Sequence, residues 1–155
     1  MLSIKEYYMI NIQDGTITLC DSKFRISKNI TQQELKEGIP ALITSSYDTN
    51  TEYTHYGVWL DIESEIYVYA TICFHGNVLK DMRLYPQHKS SVCPASAPYP
   101  MHLEEAQDSV DKWYHNLFDK DRIISEWGFI SYCEGDDPLY YPPCVLIRYL
   151  IQNEE

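Results

Sequence analysis

The side chains best suited to chemistry in this sequence are those of Cys73 and His75. They lie two residues apart in an alternating stretch, so a strand would place both on one face, and His55 falls in a neighbouring strand-like stretch. A thiol beside an imidazole can act as an activated nucleophile or bind a metal. The chain has neither Cys-x-x-Cys nor His-Glu-x-x-His, the spacings typical of zinc sites. We therefore favour a buried thiol and a hydrogen-bonded histidine, and expect no cofactor and no metal.

Carboxylates are the next candidates for chemistry. The run Glu134-Gly135-Asp136-Asp137 holds three, but it lacks the alternating ligands and distant glutamate of a calcium-binding loop, which favours a solvated turn. Acid–base pairs could be chosen at many positions among 23 Asp and Glu residues, so no single pair stands out. Phosphate-binding glycine loops, a Gly-x-Ser-x-Gly elbow and a kinase-type set are absent. We predict that the protein is not an enzyme and has no catalytic residues.

Charge is the strongest bulk property of the chain. The net charge is −11, and residues 101–155 contribute twelve carboxylates against four Lys and Arg. Such a surface repels phosphate backbones, which disfavours direct binding to nucleic acid or to an anionic membrane. It attracts basic proteins. Solubility alone is the other explanation for the charge.

Tyrosine is unusually frequent, with fourteen in 155 residues, and several fall in predicted loops beside carboxylates. Tyrosine supplies contact area and a hydrogen bond at low entropic cost, so protein interfaces are enriched in it. Packing at the rims of the sheet is the alternative role for each of them. The residues that we expect to contact a partner are acidic or aromatic and lie in the carboxyl-terminal third: Asp136, Asp137, Tyr140, Tyr141, Glu134, Glu104, Asp108 and Asp111.

The elements that position these residues follow from periodicity. Between residues 102 and 118 the apolar positions recur every three or four residues, which predicts one long amphipathic helix packed on a sheet. Thr31 and Glu34 have the form of a capping box and predict a short helix at about 31–37. Ile66, Val68, Ala70, Ile72 and Phe74 alternate with polar and aromatic residues, so we expect this set to lie in the core.

Strands account for most of the remaining apolar runs. Asp14-Gly15 predicts a hairpin of residues 6–12 and 16–20, and residues 24–26 either extend its second strand or start a short third one. Residues 53–62, 65–75 and 78–85 predict an antiparallel meander, and 126–133 and 144–151 two closing strands. The other segments are predicted as a brief strand at 41–44, a loop at 45–52 and a proline-rich connection at 86–100.

Together these segments predict a single α+β domain, 1–155, with a mostly antiparallel twisted sheet of about six to eight strands. The length suits one domain. Five cysteines without a close pairing pattern fit a reduced compartment, and neither a signal peptide nor an apolar run of about 18 residues occurs. We expect a soluble protein in the cytoplasm.

The organisation of the chain resembles that of bacterial immunity proteins from polymorphic-toxin and contact-dependent growth inhibition systems. The resemblance is carried by the amino-terminal hairpin, residues 26–35 (ISKNITQQEL), the meander, the Trp-bearing helix and the closing Trp127-Gly128-Phe129 strand. It implies a cytoplasmic protein that binds and neutralises a basic toxin domain, such as a nuclease, by occluding its active site.

Two alternatives remain open on the sequence. One is a small enzyme or small-molecule-binding domain that uses a sheet face with Tyr67, Tyr69, Cys73 and His75. The other is a nucleic-acid mimic that occupies a DNA-binding protein, which would need surface carboxylates at phosphate-like intervals. Loss of activity on Cys73→Ala would favour the first alternative.

Overall fold

The computed structural model describes residues 10–19, 23–49, 51–60, 66–88, 103–134 and 143–150, and at positions 66, 67, 87, 88 and 103–109 the backbone only. The helices are α1 (Gln32–Gly38) and α2 (Leu103–Leu117), with a 3-10 turn at Pro40–Leu42. The strands are β1 (Ile17–Thr18), β2 (Arg25–Ile26), β3 (Ile43–Asp48), β4 (Tyr53–Leu60), β5 (Ile66–His75), β6 (Val78–His88), β7 (Arg122–Ser125), β8 (Gly128–Cys133) and β9 (Cys144–Tyr149).

Seven of the strands form one sheet in the order β3-β4-β5-β6-β9-β8-β7, and every neighbouring pair is antiparallel. β1 and β2 form a separate two-stranded sheet. The predicted α+β class with a mostly antiparallel sheet is therefore confirmed. So is the meander of β4, β5 and β6, whose second turn is Gly76-Asn77 with Gly76 at a φ of +59°.

Three segments differ from the prediction. Residues 45–48, predicted as loop, belong to β3, whose polar side chains fit an edge strand that is exposed on both faces. β7 was not predicted, because four residues with half-buried and exposed side chains at the other edge leave a weak pattern. β6 continues to His88, so the first residues of the predicted connection at 86–100 are strand.

The core lies on one face of the seven-stranded sheet. Val68, Ala70, Ile72 and Phe74 of β5 are fully buried, as their alternation predicted. The side chain of Ile66 is outside the described set. From α2, the side chains of Val110, Trp113 and Tyr114 enter this core, and the helix packs on β6, β8 and β9.

The prediction that one long helix covers the sheet is not supported. α2 has 15 residues and is about 22 Å long, whereas seven strands span about 29 Å across the sheet. Other elements must therefore share the cover. They are the seven-residue α1, whose Leu35 is fully buried, and the amino-terminal hairpin.

The capping box predicted for α1 is confirmed. The Thr31 side chain accepts a hydrogen bond from the backbone N–H of Glu34, and the Glu34 carboxylate accepts one from the backbone N–H of Thr31. Gln32 then joins α1 to the sheet, because its backbone N–H donates to Asn77 Oδ1 and its Oε1 accepts from the Tyr56 hydroxyl. The helix is thereby held against the β5–β6 turn.

The amino-terminal hairpin is joined to the opposite half of the sheet. Within the predicted hairpin, the structure describes the bridge between Ile10 and Ile17 and a turn ending at Gly15, which has a φ of +74°. The Trp127 indole N–H donates to the carbonyl of Ile12 at 2.9 Å, and the Tyr149 hydroxyl donates to the carbonyl of Gly15 at 2.7 Å. Residues 6–9 and 20 of the predicted hairpin lie outside the described residues.

Within the described residues, no helix has the length and apolar character needed to cross a membrane.

Candidate binding surfaces

A cluster of carboxylates lies where α2 ends and the chain turns into β7. We call Asp111, His115, Asp119 and Asp121 the helix-end surface. The imidazole of His115 joins two of these carboxylates, with Nδ1 2.9 Å from Asp111 Oδ1 and Nε2 2.9 Å from Asp121 Oδ1. The hydrogen bond to Asp121, followed by the interactions with Asp111, raises the pKa of His115 above its ordinary value. The imidazolium is therefore favoured here, and it holds two carboxylates in place.

The rings of Tyr114 and Tyr132 pack against the ring of His115. The ring of His115 lies 5.1 Å from that of Tyr114 and 5.7 Å from that of Tyr132, measured between centroids. Tyr114 is fully buried, and its hydroxyl donates to the carbonyl of Lys120. Burial, with a smaller contribution from Asp121, raises the pKa of Tyr114 to about 12, so the hydroxyl remains protonated at neutral pH. The turn that carries Asp119 and Asp121 is thus fixed by a buried hydrogen bond.

The structure places only some of the predicted contact residues. Asp111 belongs to the helix-end surface, and Glu134 is exposed at the end of β8. The backbone of α2 carries Glu104 and Asp108 at positions that precede Asp111 by seven and three residues, a spacing that follows one helical stripe. Their side chains are not described. Four further predicted residues lie outside the described residues: Asp136, Asp137, Tyr140 and Tyr141.

Three residues of the helix-end surface were not predicted as site residues: His115, Asp119 and Asp121. The available signal was the sequence Asp119-Lys120-Asp121 directly after the predicted helix. Asp121 then lies beside β8, because its backbone carbonyl accepts from the N–H of Tyr132 at 2.9 Å. The helix-end surface therefore continues along β8 toward Glu134.

The predicted pairing of a cysteine with a histidine occurs on the other face of the sheet. His55 and Cys73 are register partners on β4 and β5, with the imidazole Nε2 4.0 Å from the sulfur. Burial and the nearby Asp81 carboxylate raise the pKa of Cys73 to about 11, so its thiol is protonated at neutral pH and is a poor nucleophile. In the described part of the chain, no group of three potential ligands could hold a metal.

The two histidine rings on this face, those of His55 and His75, each stack on a tyrosine ring. The ring of His55 lies 4.7 Å from that of Tyr47, and the ring of His75 lies 4.6 Å from that of Tyr53. Tyr69 is half-buried, and the side chain of Tyr67 is not described. These contacts fit the structural role that we favoured, and the small-molecule alternative stays a prediction.

Three arginines lie farther along the same face of the sheet. Together with Asp81 and Phe129 we call them the arginine face: Arg83, Arg122 and Arg148. The buried carboxylate of Asp81 lies 3.4 Å from Arg83 Nη1 and 3.5 Å from Arg148 Nη2. The guanidinium carbons of Arg122 and Arg148 lie 4.5 Å and 6.0 Å from the centre of the Phe129 ring. Because these residues come from four strands, sequence spacing gave no sign of the cluster.

The two surfaces differ in charge and lie on opposite sides of the sheet. Asp81 and Arg83 alternate along β6 with the buried Met82 and Leu84, which face α2. A cationic partner is therefore attracted by the helix-end surface and repelled by the arginine face. No family model matches the chain, and neither a curated protein nor a solved structure matches it.

Proposed function

We propose that the protein is a cytoplasmic immunity protein that binds a basic toxin domain and blocks it by occlusion. The observation that carries the proposal is the helix-end surface, where His115 joins the carboxylates of Asp111 and Asp121, and the exposed Asp119 lies two residues before Asp121, on a chain with a net charge of −11. The resemblance in organisation to immunity proteins supports the same function.

The helix-end surface suits lysine and arginine side chains of a partner. Asp119 and Asp121 are exposed on a turn that is held by the buried Tyr114, so their carboxylates are available without a large ordering cost. Charge-assisted hydrogen bonds from guanidinium or ammonium groups to such carboxylates are the stronger kind. A preorganised acidic surface is therefore a good docking site for a cationic domain.

The orientation of the complex follows from the distribution of charge. A basic domain approaches the side of the sheet that carries α2 and avoids the arginine face. Long-range attraction of this kind can raise association to about 10⁸–10⁹ M⁻¹ s⁻¹ at low salt. A stable interface buries about 1,600 Å² in total, which is more than the helix-end surface alone provides.

The additional area is proposed to come from the predicted contact residues of 134–143. Asp121 is hydrogen-bonded to Tyr132 on β8, and Glu134 follows two residues later. The connection that begins there contains Asp136, Asp137, Tyr140 and Tyr141. Glu104 and Asp108 precede Asp111 by seven and three residues on α2, and they are proposed as further contacts from this position in the sequence.

Occlusion requires no catalytic group on this chain. A nuclease binds the phosphates of its substrate with basic side chains, and the same side chains can donate hydrogen bonds to carboxylates. An acidic surface seated over them excludes nucleic acid by occupying its charge partners. Inhibition would therefore be reversible and would weaken as salt concentration rises.

The test begins with the reading frame next to the gene for this chain, and a neighbouring frame that encodes no toxin domain would count against the proposal; if one is encoded there, it is used as follows. That domain is expressed in bacteria with and without this protein, and survival is scored. Purified proteins are then mixed in a stopped-flow instrument at two salt concentrations. We expect protection of the cells and an association rate that falls steeply with salt.

Two variants of equal charge change locate the interface. Asp119→Lys with Asp121→Lys should slow association and flatten its salt dependence. Glu37→Lys with Asp48→Lys, on α1 and on the β3 edge, should have a much smaller effect. If both pairs slow association equally, the helix-end surface is not the interface. If the domain neither binds nor is neutralised, the immunity function is wrong.

A further inference from the structure

Cys133 and Cys144 face each other where β8 and β9 meet. Cys133 is the last residue of β8, Cys144 is the first residue of β9, and the two are direct register partners. The Cα atoms of antiparallel partners lie about 4.5–5.5 Å apart, which is within the range of about 4.4–6.8 Å that disulfides require. Both residues carry free thiols in this structure. The backbone is thus already placed for a disulfide.

The surroundings of the two thiols are unequal. The sulfur of Cys133 lies 3.9 Å from the backbone carbonyl oxygen of Ser131, to which its S–H can donate a hydrogen bond. Its interactions with Cys144 and Ser131, together with the charges of Arg83 and Arg122, lower the pKa of Cys133 against the opposing effect of burial. The interaction with Cys133, followed by burial, raises the pKa of Cys144. Cys133 is therefore the nucleophilic sulfur, and Cys144 is the protonated neighbour.

Exposure divides the two residues in the same way. Cys133 is half-buried, whereas Cys144 is only 6% exposed. A reactive cysteine that is accessible and lies beside a second, shielded cysteine is the usual arrangement of a redox-sensitive pair. The positive charges of Arg83 and Arg122 also favour a thiolate at Cys133.

We propose that Cys133 and Cys144 form a redox site that reacts with hydroperoxides and closes to a cross-strand disulfide. The pairing of Cys133 with Cys144 in the register of β8 and β9, and the greater exposure of Cys133, carry this inference. It does not depend on the proposed toxin partner.

The reaction balances in two steps. The Cys133 thiolate attacks one oxygen of hydrogen peroxide, the O–O bond breaks, and the leaving hydroxide takes a proton to become water, which leaves a sulfenic acid on Cys133. The Cys144 sulfur then attacks the Cys133 sulfur, the S–O bond breaks, and the departing oxygen leaves as water with the Cys144 proton. Two thiols are oxidised by two electrons, and one peroxide is reduced to two waters.

Cys73 provides an internal comparison. Its register partners are His55 and Asp81, so no thiol faces it across the sheet. Burial raises its pKa, in contrast to that of Cys133. Because the thiolate fraction falls about tenfold for each unit by which a pKa exceeds the pH, we expect Cys133 to react at least about tenfold faster than Cys73.

The sequence offers a clean readout. Trypsin cleaves after Arg122 and Arg148, and the fragment 123–148 contains Cys133 and Cys144 but no other cysteine. Fully reduced protein is freed of reductant, exposed to hydrogen peroxide for increasing times and then denatured in the presence of N-ethylmaleimide before digestion, so that the buried Cys144 is alkylated whenever it is still a thiol. We expect this fragment to lose both alkylation sites together and two hydrogens in mass, and dithiothreitol to restore both sites.

Three variants separate the two roles. In Cys144→Ser, Cys133 should form a sulfenic acid that dimedone traps, whereas in Cys133→Ser the remaining thiol should stay open to alkylation. Cys73→Ser should leave the oxidation of fragment 123–148 unchanged. The proposal is overturned if the wild-type fragment keeps both alkyl groups until Cys73 is oxidised. It is equally overturned if Cys133 proceeds to sulfinic acid while Cys144 remains alkylated.

Discussion

Removal of the Tyr149 hydroxyl tests how the amino-terminal hairpin is attached to the sheet. Tyr149 is 2% exposed, and its hydroxyl donates to the Gly15 carbonyl at 2.7 Å across 134 positions of sequence. Burial raises the pKa of Tyr149 well above its usual range, so the hydroxyl is protonated and can donate at neutral pH. Tyr149→Phe keeps the ring and deletes this donor alone.

The expected decrease in the free energy of unfolding of Tyr149→Phe depends on which contacts the phenylalanine keeps. The phenylalanine ring still packs against Trp127, whose ring centre lies 5.6 Å away, so little apolar burial is lost. The Gly15 carbonyl is left in a buried place without its donor, and such a group costs about 1–3 kcal/mol. For a domain of this size each kcal/mol lowers Tm by about 2–4 °C.

Urea denaturation followed by tryptophan fluorescence measures this difference. The matched control is Tyr47→Phe, which removes the same atom from a ring that is 60% exposed, and its free energy of unfolding should change by less than about 0.5 kcal/mol. Equal losses in the two variants would refute the attachment of Gly15 to Tyr149. A loss in Tyr149→Phe with an altered slope against urea would instead indicate a change in the unfolded state.

Three further substitutions have definite expected outcomes. Trp113→Ala removes a side chain that is 3% exposed and should lower the free energy of unfolding by about 3–5 kcal/mol in urea. Gly128→Ala should cost about 3 kcal/mol or more, because φ is +150° and the added Cβ would lie 1.9 Å from the Arg148 carbonyl oxygen; an unchanged Tm would contradict this. In an NMR titration, His115 should have a pKa above its ordinary value, and Asp121→Asn should lower it. Because the pKa of His115 is raised in the folded state, its protonated form contributes to the free energy of unfolding below the unfolded-state pKa, and this contribution is lost as pH rises through the folded-state pKa. The same loss should be smaller in Asp121→Asn.

Local patterns predicted much of the scaffold. The alternation in β5 identifies the buried set Val68, Ala70, Ile72 and Phe74, because successive side chains of a strand point to opposite faces. The capping box of α1 depends on residues three apart, so it too is readable from sequence. Of the edge strands, only the start of β3 overlaps a predicted strand, because the rest of β3 is exposed on both faces; β7 was not predicted, because it has only four residues, none of them fully buried.

Parts of the candidate site were also accessible. The acidic balance of residues 101–155 and the choice of Asp111 came from composition and helical spacing. The ion pairs from His115 to Asp111 and Asp121 did not, since Asp121 follows the end of the helix and its position depends on the turn.

The sequence by itself determined the net charge, the composition of the core and the local elements, because these depend on residue types and on neighbours within a few positions. Only the tertiary structure decided which distant residues meet. The arginine face joins side chains from four strands, and the thiols of Cys133 and Cys144, eleven positions apart, meet because β8 and β9 pair in one register. The alternation of buried Val145, Ile147 and Tyr149 excludes a shift of one residue, which would turn every side chain of β9 to the other face, but it does not distinguish the observed register from a shift of two residues.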